Sequence, residues 1–135
     1  AVTIPVIANG DVTTLDDVQE ILSKSGADGV MVGRGTYGKP WFLSQVIEFL
    51  KTGKRLADPS LSEQYKIVKD HYQEMLHHYG SYTGMRMARK HVSWYTKGLP
   101  KSAEFRATIN QISEADDALK AIDAYYETVL TREAA

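Results

Sequence analysis

The chain is 135 residues long, which suits one domain, or a small domain joined to part of another. Its 16 Lys and Arg against 17 Asp and Glu give a net charge of -1, so it is no globally basic nucleic-acid binder and any such role must rest on a local patch. It has no cysteine, which excludes disulfides, thiolate metal ligands and a cysteine nucleophile or acid within these residues. No apolar run approaches a membrane span and no signal-peptide pattern stands at the start, so the expected setting is cytoplasmic. The sequence enters an apolar stretch at Ala1 without an initiator Met, as a piece of a longer protein would.

Ile4 to Ala8 is rich in β-branched residues and closes on Asn9-Gly10-Asp11, which predicts a buried strand ending in a turn. Thr14 then starts a helix, with Asp17 three residues on as a variant capping box. Leu15, Val18, Ile21 and Leu22 form its apolar stripe, and Gly26 ends it. Gly29 to Gly33 predicts a second buried strand, followed by Arg34-Gly35. Strand, helix and strand at this spacing make a parallel βαβ unit. Pro40 suits the first turn of the next helix, which carries Trp41, Phe42, Val46, Ile47, Phe49 and Leu50 on its apolar side. Two parallel strands alone leave faces and edges uncovered, so further strands belong to the intact fold.

From Lys51 the pattern changes, through a polar connector that holds Gly53 and Pro59, to helices only. Ser60 and Glu63 form a full capping box. Leu61, Tyr65, Val68, Tyr72, Met75 and Tyr79 then recur at helical spacing up to Gly80. Gly84 to Tyr95 predicts a helix with two unlike sides. Arg86, Lys90, Ser93 and Lys97 share one face, with Arg89 at its edge. Met85, Ala88, Val92 and Tyr95 form the apolar face, widened by Met87 and Trp94. A shorter helix, Ala103 to Ile112, offers Phe105 and Ile109 to the core. Ser113 is placed as the cap of a last helix with Ala115, Ala118, Leu119, Ile122, Tyr126 and Val129 along one side. Four helices with short connections read as a bundle.

Two constellations carry chemistry. The turns Asn9-Gly10-Asp11 and Gly33-Arg34-Gly35 both follow parallel strands, where α/β folds seat their ligands. Glycine there lets backbone N–H groups approach a phosphate, and Arg34 adds a cation. Glycine suits a tight turn with no ligand equally well. Asp11 either touches a ligand or caps the following helix. The basic face of the Gly84–Tyr95 helix presents positive charge to a polyanion, or is simply a solvated surface. Histidines 71, 77, 78 and 91 have no companion ligands at metal-binding spacing. His91 and Trp94 lie toward the buried side, and Tyr65, Tyr72, Tyr79 and Tyr126 read as core.

Three runs in order, Ile-Pro-Val-Ile-Ala-Asn-Gly-Asp, Gly-Ala-Asp-Gly-Val-Met-Val-Gly-Arg-Gly and Gly-Met-Arg-Met-Ala-Arg-Lys-His-Val-Ser-Trp-Tyr, resemble the tRNA-dihydrouridine synthases, the bacterial B-type above all. The resemblance covers nearly the whole chain. It implies a fold that is mostly α here: residues 1–52 as the last two β/α units of an FMN-binding TIM (β/α)8 barrel, 53–59 as a connector, and 60–135 as a helical tRNA-binding bundle. It implies NADPH-reduced FMN saturating the C5–C6 bond of selected uridines in tRNA. By that likeness Asn9, Gly10, Asp11, Gly33 and Arg34 match the flavin-phosphate turns. Arg86, Arg89, Lys90 and His91 match the basic motif that faces tRNA, and Lys97 continues its face.

A complete barrel needs roughly 200 residues or more, and the family's proton-donating cysteine belongs to the part not present. The expectation is therefore the C-terminal part of a synthase, inactive alone and without a catalytic residue of its own. Open strand edges would make such a fragment prone to self-association. Two other readings are a free-standing helical RNA-binding module and the end of another FMN-dependent barrel reductase acting on a small molecule.

Overall fold

The computed structural model describes residues 2–133. Among these residues two strands and six α-helices follow in chain order: β1 (Ile7–Asn9), α1 (Leu15–Ser25), β2 (Gly29–Met31), α2 (Phe42–Thr52), α3 (Leu61–Tyr79), α4 (Ser81–Tyr95), α5 (Ser102–Gln111) and α6 (Ala115–Glu133). A 3-10 turn, Arg34–Thr36, stands between β2 and α2. The chain divides into two units between Asp58 and Pro59.

In the first unit, β1 and β2 pair in parallel, with Ile7 opposite Gly29 and Asn9 opposite Met31. The intervening helix forms as its caps dictate. Thr14 accepts from the Asp17 N–H (3.1 Å) while Asp17 accepts from the Thr14 N–H (2.8 Å), and Gly26 closes the helix at φ 64°. Val12, Val18, Phe42 and Val46 make a small core, with Leu15, Ile21, Leu22, Val30 and Val32 packed around it. The strands are shorter than the sequence suggests and are not buried: Ile7 is 58% and Met31 50% exposed. A parallel strand is buried only when both sheet faces are covered, and the helices here leave Ile7 and Met31 in the open. Ile47 and Leu50, expected on the apolar side of α2, lie with Leu43 on an exposed stripe instead, because Phe42 and Val46 take the core-facing positions. The polar connector folds back on its own unit. Asp58 accepts from Trp41 Nε1 and Gln45 Nε2, both at 2.9 Å, and the Arg55 guanidinium lies 5.0 Å from the Phe49 ring centre.

The second unit is built of α3 to α6. Ser60 and Glu63 exchange hydrogen bonds as a capping box at the start of α3. Val68, Tyr72 and Met75 of α3 are buried, as are Met85, Ala88, Val92 and Tyr95 of α4. A single residue, Gly80 at φ 78°, joins the two helices, so α4 starts at Ser81 rather than Gly84. Gly84 lies inside the helix pair, where a Cβ would stand 2.5 Å from the Met75 carbonyl oxygen; glycine is what lets the backbones approach.

Met87 is 43% exposed and does not widen the buried arc. Two residues turn a helix by roughly 200°, so Met85 and Met87 cannot both face α3. Tyr79 is also exposed (46%), because it is the final residue of α3, where the chain turns over. Phe105 and Ile109 of α5 are buried. The last helix starts two residues after Ser113; the Ala118 N–H bonds the Glu114 carbonyl, and Asp116 and Asp117 meet the positive end of the helix. Tyr125, which the spacing did not single out, joins Ile122 and Tyr126 in the core and stacks on Phe105 at 4.2 Å.

Polar ties join these helices. Tyr65 donates to Asp123 (2.6 Å), which also pairs with Lys69 (3.0 Å), and Tyr72 donates to the Ala115 carbonyl (2.9 Å). Burial pushes the Tyr72 and Tyr95 phenols up to about 12, so both remain neutral. Among the described residues no helix is long and apolar enough to cross a membrane.

Candidate functional site

Parallel pairing sends the carboxyl ends of β1 and β2 the same way, and the turns that follow them line one cavity of about 340 Å3. Asn9, Gly10 and Asp11 form one wall; Gly33, Arg34 and Gly35 form the other. The two turns interlock, because a Cβ on Gly35 would stand 2.1 Å from the Val12 carbonyl oxygen. By contrast, a Cβ on Gly10 or Gly33 would meet nothing within 4 Å, so those backbones are open to a ligand. The 3-10 turn closes through the Thr36 and Tyr37 N–H groups, leaving the Arg34 and Gly35 N–H groups outside its own ladder.

Asp11 sits at φ 40°, in the left-handed region that Asp tolerates. It caps nothing, since Thr14 and Asp17 do that. Asp17 is held down to about 2, chiefly by the hydrogen bond from the Thr13 backbone and further by Thr14. Asp11 instead accepts from Arg34 Nη2 at 2.5 Å across the two turns. Both side chains are more than three-quarters exposed, so the pair is weakly held in water and Arg34 can turn to an anion. Lys39, which sequence reasoning missed, donates to the Thr13 carbonyl (2.8 Å) and secures the first turn.

In the second unit the five cationic-motif residues have different fates. Arg86 and Lys90 are exposed on α4, each beside an aromatic ring one turn away. Arg86 lies 5.4 Å from the Tyr82 ring centre and donates to its hydroxyl (3.1 Å); Lys90 lies 6.0 Å from the Trp94 ring centre. Lys97 is exposed in the turn beyond the helix. Arg89 turns inward, donating to the Ile112 carbonyl at 2.5 Å. His91 is half-buried, edge-on to His71 (4.9 Å) and Trp94 (5.0 Å). Burial lowers its pKa, with His71 and Lys90 adding to the effect. His71 contacts the Tyr95 hydroxyl at 2.9 Å, and burial lowers its pKa too.

A sequence signal for this surface was available beyond the helix spacing. From Met75 to Ala103 there are five Lys and Arg and no carboxylate, in a chain of net charge -1. Positive charge is thus concentrated around α4.

The fold and its paired glycine turns define an α/β segment joined to a helical bundle. The family model of the dihydrouridine synthases matches residues 1–132, and the chain belongs to that family. It is 49% identical over 130 residues to a probable tRNA-dihydrouridine synthase of Rickettsia conorii, covering 96% of this chain and 39% of that protein. It is 50% identical over 133 residues to the corresponding protein of Rickettsia bellii, covering 98% and 41%. Against tRNA-dihydrouridine synthase B of Pectobacterium carotovorum the identity is 40% over 129 residues, covering 96% and 40%. The chain spans about two fifths of the length of the curated relatives it matches.

Proposed function

We propose that these residues are the C-terminal part of a tRNA-dihydrouridine synthase, with the first unit ending an FMN-binding (β/α)8 barrel and the second facing tRNA. The observation that carries this reading is the shared cavity of the two turns. Open glycine backbones at Gly10 and Gly33, N–H groups at Arg34 and Gly35 and an exposed guanidinium suit a phosphate dianion. Asn9 and Asp11 border the same space, and Asp11 orients Arg34. Arg34 and the backbone N–H groups of Arg34 and Gly35 would hold FMN by its phosphate, and the flavin, reduced by NADPH, would supply the hydride that saturates the C5–C6 bond of a uridine. The target base must leave its stack to be reached. No cysteine lies in these residues to donate the accompanying proton, so the acid belongs to the remainder of the protein.

The exposed stripe Leu43, Ile47 and Leu50 and the bare strand residues Ile7 and Met31 support the barrel assignment. They are apolar surface on the three elements, α2, β1 and β2, that a closed barrel would cover with neighbouring β/α units.

Arg34→Ala in the full-length protein tests the phosphate role. FMN retention should fall at least about tenfold, in line with loss of a charge-assisted hydrogen bond. Riboflavin, which lacks the phosphate, should bind wild type and variant alike. Equal loss of both ligands, or loss of neither, would overturn the assignment.

A further inference from the structure

The second unit hides its large apolar side chains well, with one exception. Among its described residues, the exposed large hydrophobics are Tyr79 (46%), Tyr82 (70%) and Met87 (43%). Tyr79 and Tyr82 flank the corner where α3 passes into α4 through Gly80, and Met87 lies further along α4. Tyr79 closes one helix and Tyr82 opens the next. Arg86 lies over the Tyr82 ring, and the edge of His78 meets Tyr79 at 4.5 Å. The corner sits inside the segment that carries five cations and no carboxylate. Ordinary helix corners are polar, and core packing explains none of these three side chains.

We infer that this corner is a stacking platform for an unpaired nucleotide of the bound RNA, with Tyr82 as its main ring and Tyr79 beside it. The inference rests on the proposed tRNA-facing role of α4 and adds to it which part of the RNA meets the protein. Bases inside an A-form duplex are stacked on one another and offer no free face, whereas loop and end bases do. An exposed ring flanked by a guanidinium provides a π-surface and a cation for the adjoining phosphate, the combination that single-stranded nucleic acid uses. Arg86 and Lys90 then act on phosphates, and Tyr82 on a base. The Arg86–Tyr82 hydrogen bond holds ring and cation together as one unit.

The test measures the affinity of the full-length protein for unfractionated tRNA, an adenosine 12-mer and a blunt RNA duplex, each across a salt series. Tyr82→Ala should weaken tRNA and the single strand by about 5- to 100-fold at every salt concentration. The salt slope and the affinity for duplex should not change. Tyr82→Phe keeps the ring and should stay within about threefold of wild type, and Tyr79→Ala should show a smaller loss of the same kind. Both tyrosines are exposed, so unchanged circular dichroism is expected for every variant. A Tyr82→Ala protein that binds tRNA and the single strand as wild type does, or that loses duplex affinity equally, overturns the platform while leaving the basic helix intact. Failure of the wild type to bind any of the three RNAs overturns the basic-helix reading itself.

Discussion

Arg86, Arg89 and Lys90 fall within five consecutive positions, yet their side chains work differently. Arg86 and Lys90 remain in solvent, whereas Arg89 reaches the Ile112 carbonyl, and its Nε is buried without a partner. Arg89 thus ties α4 to the connection between α5 and α6. Arg89→Ala should destabilise the second unit by about 1.5–3 kcal/mol, the range for a hydrogen bond to a charged group. Urea unfolding of the variant checks this; an unchanged midpoint would return Arg89 to the surface set. His71 and His91 give a pH signature at the same scale. Burial lowers both folded pKa values, so the unfolded chain binds more protons at mildly acid pH. Their contribution to stability is complete above the unfolded pKa of about 6.5 and is lost as pH falls through the depressed folded values. Melting temperature should therefore drop below about pH 6.5, and His71→Gln with His91→Gln should flatten that part of the profile.

Between elements, α3 and α4 approach one another closely at Gly84. A methyl group there would press on the Met75 carbonyl and the Leu76 Cα, which are backbone atoms and yield little. Gly84→Ala should cost about 1–3 kcal/mol through overpacking, read as a lower urea midpoint; a neutral result would mean that the helices separate freely. The α4 face carries its own prediction through its charges. If Arg86 and Lys90 contact phosphates, each substitution by Ala should reduce the slope of log affinity against log salt by about 0.7–0.9. All tRNAs should be affected alike, because phosphate contacts position without encoding sequence. Reduction of the flavin by NADPH should stay at the wild-type rate. Wild-type affinity and slope in both variants would leave that face as plain solvated surface.

At the scale of the whole chain, the two units differ in how completely each covers its own apolar surface. Among the described residues the helical unit exposes only Tyr79, Tyr82 and Met87 of its large apolar side chains, while the first unit exposes both strand and helix surface. Hydrogen exchange on the 135-residue chain should therefore protect Tyr65–Tyr72 well above Val6–Ala8. Equal protection at low protein concentration would contradict this. Protection of Val6–Ala8 that rises with concentration would mark pairing of open strand edges between copies. If the cavity at the turns holds the FMN phosphate, as proposed, FMN should bind the 135-residue chain far more weakly than the full-length protein, because the isoalloxazine ring needs walls from the rest of a barrel. Tight stoichiometric binding in a fluorescence titration would show that the turns carry most of the affinity.

What the sequence determined by itself was everything set by neighbours a few positions apart. The capping boxes at Thr14 and Ser60, the glycine stops at Gly26 and Gly80, and the Met85–Tyr95 stripe depend on local hydrogen bonds and helical period, which a sequence states directly. The paired glycine turns were legible for the same reason. Tertiary structure alone decided where side chains with two options went. Asp11 read as touching a ligand or capping the following helix; it leaves the cap to Thr14 and Asp17 and pairs with Arg34, which the parallel register brings within reach. Arg89 had a place on either side of its helix edge, and the Ile112 carbonyl drew it inward. Tyr79 carried the same stripe spacing as Tyr72, yet only Tyr72 found a partner helix to cover it. Helical period states which way a side chain points; whether anything stands there depends on contacts between residues far apart in the chain.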